Sequence, residues 1–213
     1  MGNPMSVLNK LASSLGRGDE IPNRALAHEL VDNKNMAGIA EVADNLWNKD
    51  RHIQADCIKV IYEVGYLKPE LIAPYALGFI ELLKNRNNRM VWGAMIALST
   101  VGAMAGDELF PHVEEIQKAM KGGSVITRDA GVLALAGIAS CKPEYNRDIF
   151  PYLLDHLRTC RPKDVPQHSE KTLLAVNYEN KATFIAVLEK RMEDLQGMLV
   201  KRVQKVIQQA QQR

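Results

Sequence analysis

The five histidines and three cysteines of this 213-residue chain form no recognisable catalytic or metal-binding motif. His112 and Glu115 are spaced to share one helix face, but no third metal ligand lies near them, so we interpret them as a surface pair. No histidine is an evident activating partner for Cys57, Cys141 or Cys160. Phosphate-binding, dinucleotide-binding, zinc-protease and serine-hydrolase motifs are absent. We therefore predict no catalytic residue, no metal ligand and no cofactor.

Composition and charge are typical of an ordinary globular protein. Apolar residues make up 46% and charged residues 24%, and the net charge of +2 is too small to indicate a nucleic-acid-binding protein by itself. Cysteines without a Cys-x-x-Cys pair indicate reduced thiols, and no apolar run approaches the length of a membrane span. We see no signal peptide and expect a cytoplasmic protein. Gly2 and Ser6 fit the short myristoylation pattern, which we interpret as a chance match.

The clearest pattern is a stretch that occurs three times, at 50–65, 87–102 and 124–139, with a spacing of 37 residues. When the three copies are aligned, three apolar positions coincide, and they are spaced three residues apart. The position immediately before the first of them carries a small residue in every copy. These positions are Ile58, Met95 and Val132; Ile61, Leu98 and Leu135; Val64, Val101 and Ile138; and, for the small residue, Cys57, Ala94 and Gly131. Such spacing lines one side of a helix, and the small residue lets a neighbour approach closely. We predict buried helices, with Leu98 and Leu135 at successive repeat interfaces.

Another helix precedes each copy and would complete a helical hairpin. We predict these first helices at about 36–48, 69–84, 107–121 and 148–159. Three carry proline near their start, where a first turn tolerates it: Ile-Ala-Pro-Tyr at 72–75, Leu-Phe-Pro-His at 109–112 and Ile-Phe-Pro-Tyr at 149–152. In the fourth unit the turn is longer, and the second helix is predicted at about 167–176.

The early proline and the register of the second helices resemble the HEAT-repeat family, over about 36–177. In that family a Val-Arg pair enters the second helix, and here the corresponding pairs are Ile53-Gln54, Met90-Val91 and Thr127-Arg128. The arginine is thus present in one copy of three. The resemblance implies an all-α fold, a curved α-α superhelix of HEAT-like helical hairpins with atypical terminal helices. It also implies binding of other macromolecules, without specifying which.

We divide the chain into three parts. Residues 1–34 are predicted to form N-terminal capping helices, the first of them over 5–15, and residues 35–178 a HEAT-like array of about four helix pairs. Residues 179–213 are predicted to form one long C-terminal helix, because an apolar stripe continues past Gly197 without a change of phase. The alternative is a fifth helix pair broken at Gly197.

A long helix of this kind would extend beyond the array and expose part of its apolar stripe. One interpretation is therefore a homodimer in which Leu199, Val203 and Val206 contact a second copy of the chain. The rival interpretation is a helix that folds back on its own array and leaves a monomer.

Trp92 and Asp129 occupy equivalent positions, 37 residues apart, on second helices that line the concave face in this family. HEAT-like DNA glycosylases use aromatic residues and a carboxylate on that face, within a basic groove. The other interpretation is that Trp92 packs between repeats while Asp129 pairs with Arg89 or Arg128. We prefer the packing interpretation, because a groove that holds duplex DNA needs many cations to offset the phosphates.

Basic residues collect in the turns inside the repeats, whereas the turns between repeats are more acidic or mixed. The candidate binding cations are Lys84, Arg86, Arg89, Arg128, Arg161 and Lys163. Since stacked repeats place equivalent turns along one edge, we expect a basic edge that meets an acidic partner. The alternative is that these cations only stabilise the ends of first helices through the helix dipole, by ~0.3–1 kcal/mol each.

The sequence therefore predicts a non-enzymatic HEAT-like scaffold. It would bind a protein or an acidic partner through its concave face or its basic edge, with Trp92 and Asp129 among the binding residues. The alternative is a nucleic-acid-binding protein or a HEAT-like DNA glycosylase-type repair protein.

Overall fold

The computed structural model describes residues 6–213, in which every regular element is helical. The α-helices of this part of the chain, α1–α12 in order, are Ile21–Asp32, Met36–Asp44, Arg51–Leu67, Ala76–Leu82, Asn88–Val101, Gly106–Leu109, Val113–Gly122, Val125–Cys141, Pro143–Thr159, Val165–Thr172, Lys181–Met192 and Met198–Gln211. The all-α prediction is confirmed. None of these helices is long and apolar enough to cross a membrane. Gly2, of the acylation pattern, lies outside the described residues.

The three repeated second helices, α3, α5 and α8, begin at equivalent residues because a side chain caps each of them. Asp50, Asn87 and Ser124 lie 37 residues apart and immediately precede these helices. Their side-chain oxygens accept hydrogen bonds from backbone N–H groups of the first turn, at 2.8, 3.0 and 3.2 Å. These bonds satisfy amide groups that a helix start otherwise leaves without partners. The 37-residue spacing is therefore also the spacing of the helix starts.

The apolar stripe of each second helix is fully buried. None of its nine members has any exposed surface: Ile58, Ile61, Val64, Met95, Leu98, Val101, Val132, Leu135 and Ile138. The predicted burial of Leu98 and Leu135 is confirmed. All nine belong to one hydrophobic core that extends from the N-terminal segment to α12. The chain thus builds one continuous, elongated core from repeated parts.

The helices form five pairs. The second helices are α3, α5, α8, α10 and α12, and each packs against the next. Their first-helix partners are α2, α4, the α6–α7 segment, α9 and α11. At the N-terminal end, α1 packs against α3 and extends the layer of second helices by one. The array is therefore longer than the four pairs predicted for it.

The prolines of the first helices have two different effects. Pro74 and Pro111 lie in the 3-10 helices Ala73–Tyr75 and Phe110–His112, which precede α4 and α7. Proline has no N–H to donate to the hydrogen-bond ladder of an α-helix. Each of these two first helices is therefore preceded by a short 3-10 segment that contains the proline. Pro151 instead lies inside α9, which begins at Pro143 and continues past it. The predicted first-turn position is therefore correct for two prolines and wrong for the third.

Both ends of the chain differ from the predictions. The predicted helix over 5–15 is reduced to the 3-10 helix Val7–Lys10, followed by turns. The single helix predicted for the last 35 residues is wrong, because α11 ends at Met192 and α12 begins at Met198. Gly197, with φ of 56°, supplies the left-handed residue that reverses the chain. The alternative of a fifth pair broken at Gly197 is the one observed.

The backbone at the C-terminal end of α5 lies in contact with the backbone of α8. A Cβ atom at Gly102 would lie 2.7 Å from the carbonyl oxygen of Ala134, and one at Gly137 would lie 2.9 Å from the backbone nitrogen of Ala103. Backbone atoms cannot rotate away as a side chain can, so both positions require glycine if the helices are to keep this distance.

Gly137→Ala should destabilise the protein by ~1–3 kcal/mol, because the added methyl group forces α5 and α8 apart. This loss is expected although alanine is the better helix former by about 1 kcal/mol. Urea denaturation followed by circular dichroism would measure it. Gly122→Ala is the matched control, because nothing lies within 4 Å of a Cβ atom there. Equal unfolding midpoints for wild type and Gly137→Ala would contradict the backbone contact.

Candidate functional site

Three aromatic side chains meet where α3 packs against α5. Tyr62 and Tyr66, one turn apart on α3, have ring centroids 6.0 Å apart in an edge-to-face arrangement. Tyr62 also contacts Trp92 of α5, at a centroid distance of 6.0 Å. Tyr62 is buried, Trp92 is half-buried and Tyr66 is 60% exposed. These three residues, which we call the aromatic cluster, therefore extend from the core to the surface.

Charged side chains lie against two of the three rings. Lys59 Nζ is 4.8 Å from the ring centroid of Tyr62 and 2.9 Å from a carboxylate oxygen of Glu20. The guanidinium of Arg89 is 5.8 Å from the ring centroid of Trp92 and pairs with the same carboxylate at 3.1 Å. Glu20, at the start of α1, thus links α1 to both α3 and α5. Trp92 packs between repeats, in agreement with the packing interpretation.

Lys59 stays charged although it is buried. Lys59 is only 4% exposed, and burial by itself would lower the pKa of its ammonium group. Hydrogen bonds with Glu63, at 2.7 Å, with Tyr62 and with Glu20 outweigh burial and raise that pKa. The same contact with Lys59 lowers the pKa of Glu20. These contacts therefore hold Lys59 and Glu20 in their charged forms beside the aromatic cluster.

Asp129, on α8, has a partner that the sequence analysis missed. Its Oδ1 lies 2.7 Å from Nε2 of His168 on α10, and Gln167 donates a longer hydrogen bond of 3.4 Å to Oδ2. Within residues 6–213 it pairs with neither Arg89 nor Arg128, so the predicted arginine partner is wrong. The fold brings α10 beside α8, and His168 thereby reaches a residue 39 positions earlier in the chain.

A second histidine continues this chain of contacts. Nδ1 of His168 lies 3.0 Å from Nε2 of His156 on α9, and the centroids of the two rings are 4.8 Å apart. His168 is 2% exposed, and Lys171 donates a hydrogen bond of 2.6 Å to the backbone carbonyl of Asp129. Burial, and then the neighbouring His168, lower the pKa of His156 to about 4, so this imidazole is neutral at pH 7.

Cys160, at the end of α9, completes the group. One potential ligand atom from each of His156, Cys160 and His168 lies within 4.8 Å of the others. We call these three residues with Asp129 the His–Cys cluster. Burial raises the pKa of the Cys160 thiol to about 11, so it is protonated and a poor nucleophile at pH 7. The signal in the sequence is His-x3-Cys-x7-His, which places one potential ligand in the last turn of α9, one immediately after that helix and one on α10.

The predicted basic edge is interrupted by ion pairs. Arg89 pairs with Glu20, and Arg161 pairs with Asp164 at 2.6 Å. No ion pair within the described part of the chain involves the other four candidates, Lys84, Arg86, Arg128 and Lys163. Lys84 and Arg86 are exposed in the turn between α4 and α5, where they border a groove together with Lys118 of α7. A continuous edge stays a prediction. Two exposed cations without an ion pair, Lys84 and Arg86, share this turn, and a third, Lys163, lies between α9 and α10.

The residues predicted to mediate self-association face the inside of the chain. Val203 has no exposed surface and Val206 is 1% exposed, because α12 packs against α10 and α11. Leu199 is half-buried against the core. The dimer interpretation requires an exposed apolar stripe, and at Val203 and Val206 this stripe is buried. The burial agrees with the rival interpretation, in which the helix packs on its own array.

Solved structures with the same arrangement of helices are helical-repeat proteins. A designed armadillo repeat protein matches with a TM-score of 0.68 and 12% identity, over 95% of this chain and 99% of its own. Another, in complex with the peptide (KR)4, matches with a TM-score of 0.68 and 15% identity, over 88% and 86% of the two chains. Kap121p bound to Pho4p matches with a TM-score of 0.64 and 14% identity, over 94% of this chain and 22% of its own.

The chain is a helical-repeat solenoid. The resemblance to HEAT repeats is thereby confirmed at the level of the fold. No family model matches the sequence, and no curated protein matches it either. Because all three identities quoted are 15% or less, the likeness concerns the arrangement of helices and not a shared partner.

Arg191, on α11, anchors the last pair of the solenoid and supports the position of Cys160. Its guanidinium donates hydrogen bonds to the backbone carbonyls of Leu157, Arg158 and Cys160, at 2.7, 2.7 and 2.9 Å. These carbonyls belong to the C-terminal end of α9, where a helix leaves its last acceptors without partners and favours a positive charge. A buried arginine therefore joins α9 to α11.

Arg191→Leu should lower the free energy of unfolding by about 1.5–3 kcal/mol, because a leucine keeps the apolar contacts but leaves the carbonyls without a charged donor. Thermal and urea unfolding would measure the effect. Arg202→Leu is the matched control: Arg202 pairs with Glu170, and both side chains are more than 40% exposed. The control should cost less than about 1 kcal/mol. Equal losses in the two variants would contradict the anchoring role of Arg191.

Proposed function

We propose that this solenoid is a non-enzymatic scaffold that binds a segment of a partner protein. The binding surface would comprise the aromatic cluster and the cations of the turn before α5. The observation that carries the proposal is Tyr66, which is 60% exposed although its ring packs against the buried Tyr62. A tyrosine held in this way offers a large contact area and loses little side-chain freedom when a partner binds.

The surroundings of Tyr66 are suited to a binding hot spot. Tyrosine, tryptophan and arginine are the residues that most often dominate interface energies, and all three types meet here. Trp92 and Arg89 are already in position, because Arg89 is held between the indole ring and Glu20. A partner would therefore meet a surface that is ordered before binding, which reduces the entropy cost of association.

The exposed cations favour an acidic segment. Lys84 and Arg86 are exposed five and three residues before Arg89 in the chain, at the turn that leads into α5 and Trp92. Within residues 6–213 neither of them forms an ion pair, although the charge of Lys84 acts on Glu115, which lines the same groove. A local group of cations can steer an anionic partner even when, as here, the net charge is only +2. We therefore expect apolar or aromatic anchors near Tyr66 and carboxylates near Arg86.

The proposal includes the absence of catalysis and a cytoplasmic location. Asp129, the carboxylate required by the DNA-repair alternative, is engaged by His168, which is more consistent with a structural role. Cys57, Cys141 and Cys160 are all free thiols, and free thiols persist in reducing compartments. The proteins of similar fold include one that holds the peptide (KR)4 and one bound to Pho4p. These comparisons support a peptide-binding solenoid without specifying the ligand. Nucleic acid stays the alternative prediction.

Tyr66→Ala should weaken binding of the partner segment at least about tenfold, because truncating a hot-spot residue costs about 2 kcal/mol or more and each ~1.4 kcal/mol is a factor of ten. Peptides selected from a displayed library against the whole chain would serve as ligands, and fluorescence anisotropy would give their affinities. Tyr178→Ala is the matched control, since Tyr178 is 80% exposed but lies between α10 and α11.

The same two positions give a direct test of location. A photo-crosslinking residue at position 66 should label the bound peptide, and one at position 178 should not. Labelling from both positions, or an unchanged affinity in Tyr66→Ala, would place the binding surface elsewhere. Duplex and single-stranded DNA are to be measured in parallel, and tight DNA binding with no selected peptide would favour the nucleic-acid alternative.

A double variant, Lys84→Glu with Arg86→Glu, reverses the charge of the turn. It should abolish binding of an acidic peptide and change the free energy of unfolding by less than about 0.5 kcal/mol relative to wild type. Wild-type binding should also weaken from low to physiological salt, since exposed charges are screened over ~8–10 Å. Lys201→Glu with Lys205→Glu makes the same change of net charge on exposed residues of α12 and is the control. Equal losses of affinity in the two double variants would indicate a general effect of net charge.

A further inference from the structure

The His–Cys cluster lies where two helices of the fourth pair meet. His156 and Cys160 are one helical turn apart at the end of α9, and His168 approaches from α10 across the short intervening turn. One nitrogen or sulfur atom from each of them lies within 4.8 Å of the other two. His156 and Cys160 are only partly buried, so a small ion can reach the group from solvent.

The orientation of His168 is set by Asp129. The carboxylate binds Nε2 at 2.7 Å, and this contact directs the other ring nitrogen, Nδ1, toward His156 Nε2 at 3.0 Å. A histidine that binds a metal through one nitrogen nearly always donates its other N–H to a carboxylate, a carbonyl or water. The contact between Asp129 and His168 has this geometry already.

We propose that His156, Cys160 and His168 bind one Zn²⁺ ion through Nε2, Sγ and Nδ1, with Asp129 orienting His168. Two imidazoles and one thiolate are a ligand set that zinc favours, and water or an external ligand would occupy the fourth tetrahedral position. Bonds of about 2.0–2.3 Å to zinc imply distances of about 3.3–3.7 Å between the ligand atoms. The two nitrogens, now 3.0 Å apart, need to separate by a few tenths of an ångström.

The charges of the cluster also suit a divalent cation. Zinc would bind Cys160 as the thiolate, which leaves one positive charge at the site, and the Asp129 carboxylate would balance it. The ion would join α9 to α10 directly and, through Asp129, to α8. This site is separate from the aromatic cluster, which lies at the α3–α5 junction, so the zinc proposal does not depend on the proposed function.

The same contacts have an explanation without metal. His156 and His168 would then share one N–H···N hydrogen bond, and the Cys160 thiol would remain at its 3.7 Å contact with the backbone carbonyl of Leu157. The two explanations differ in their thiol chemistry, because only the metal site converts Cys160 to a thiolate at neutral pH.

Titration of tag-free protein with Zn²⁺ against a chromophoric chelator should give one ion per chain. Co²⁺ in place of Zn²⁺ should produce a thiolate-to-cobalt absorption band together with the intense visible bands of a tetrahedral ion. Cys160→Ser should lose the thiolate band. His156→Gln should lower the zinc affinity more than ~100-fold, because ~100-fold is the largest loss typical of a residue that only supports a metal ligand. Asp129→Asn should bind about 10–100-fold more weakly.

His52→Gln and Cys141→Ser are the matched controls, because these residues lie outside the cluster and should leave zinc binding unchanged. Circular dichroism of each metal-free variant would show that it folds, and zinc should raise the Tm of wild type but not of His156→Gln. If wild type binds no zinc, or if Cys160→Ser and His156→Gln bind it with wild-type affinity, the cluster is only a hydrogen-bonded pair with a buried thiol.

Discussion

The close approach of α5 and α8 is the constraint on which the rest of this solenoid depends. At Gly102 and Gly137 backbone meets backbone, so main-chain atoms, which cannot repack, set the distance between the two central second helices. The neighbouring helices are placed relative to this contact, since α3 packs on α5 and α10 packs on α8. The aromatic cluster and the His–Cys cluster each span one of these outer junctions, and their geometry therefore depends on the central contact.

Polar contacts fix the register of helices that apolar burial alone would leave free to slide. Two of these contacts span junctions in the layer of second helices, and breaking either would leave a buried or partly buried polar group without a partner. Glu20 links α1, α3 and α5, and Asp129 links α8 to α10 through His168. The glycine contact performs the same task between α5 and α8.

The repeated part of the fold was predictable because its determinants are local. Caps such as Ser124 and stripes such as Leu98 are visible within one helix, and the 37-residue period assigns them to equivalent places. The candidate site was less accessible to prediction. His168 meets Asp129 across 39 residues, and the fourth unit departs from the register that relates the first three. The break at Gly197 was ambiguous for another reason: two antiparallel helices facing one core can continue the same apolar periodicity.

The distribution of satisfied and unsatisfied groups connects this architecture to binding. Folding uses Lys59 and Arg89 to hold helices together. Lys59 is buried by this role, whereas Arg89 stays partly exposed and its charge contributes to the local field. Tyr66 and Arg86 are exposed and do not contribute to the buried core. A partner that contacts both gains an aromatic surface and a charge without disrupting any contact between helices. Because the supporting residues are already fixed, little of the binding free energy is lost to ordering the surface.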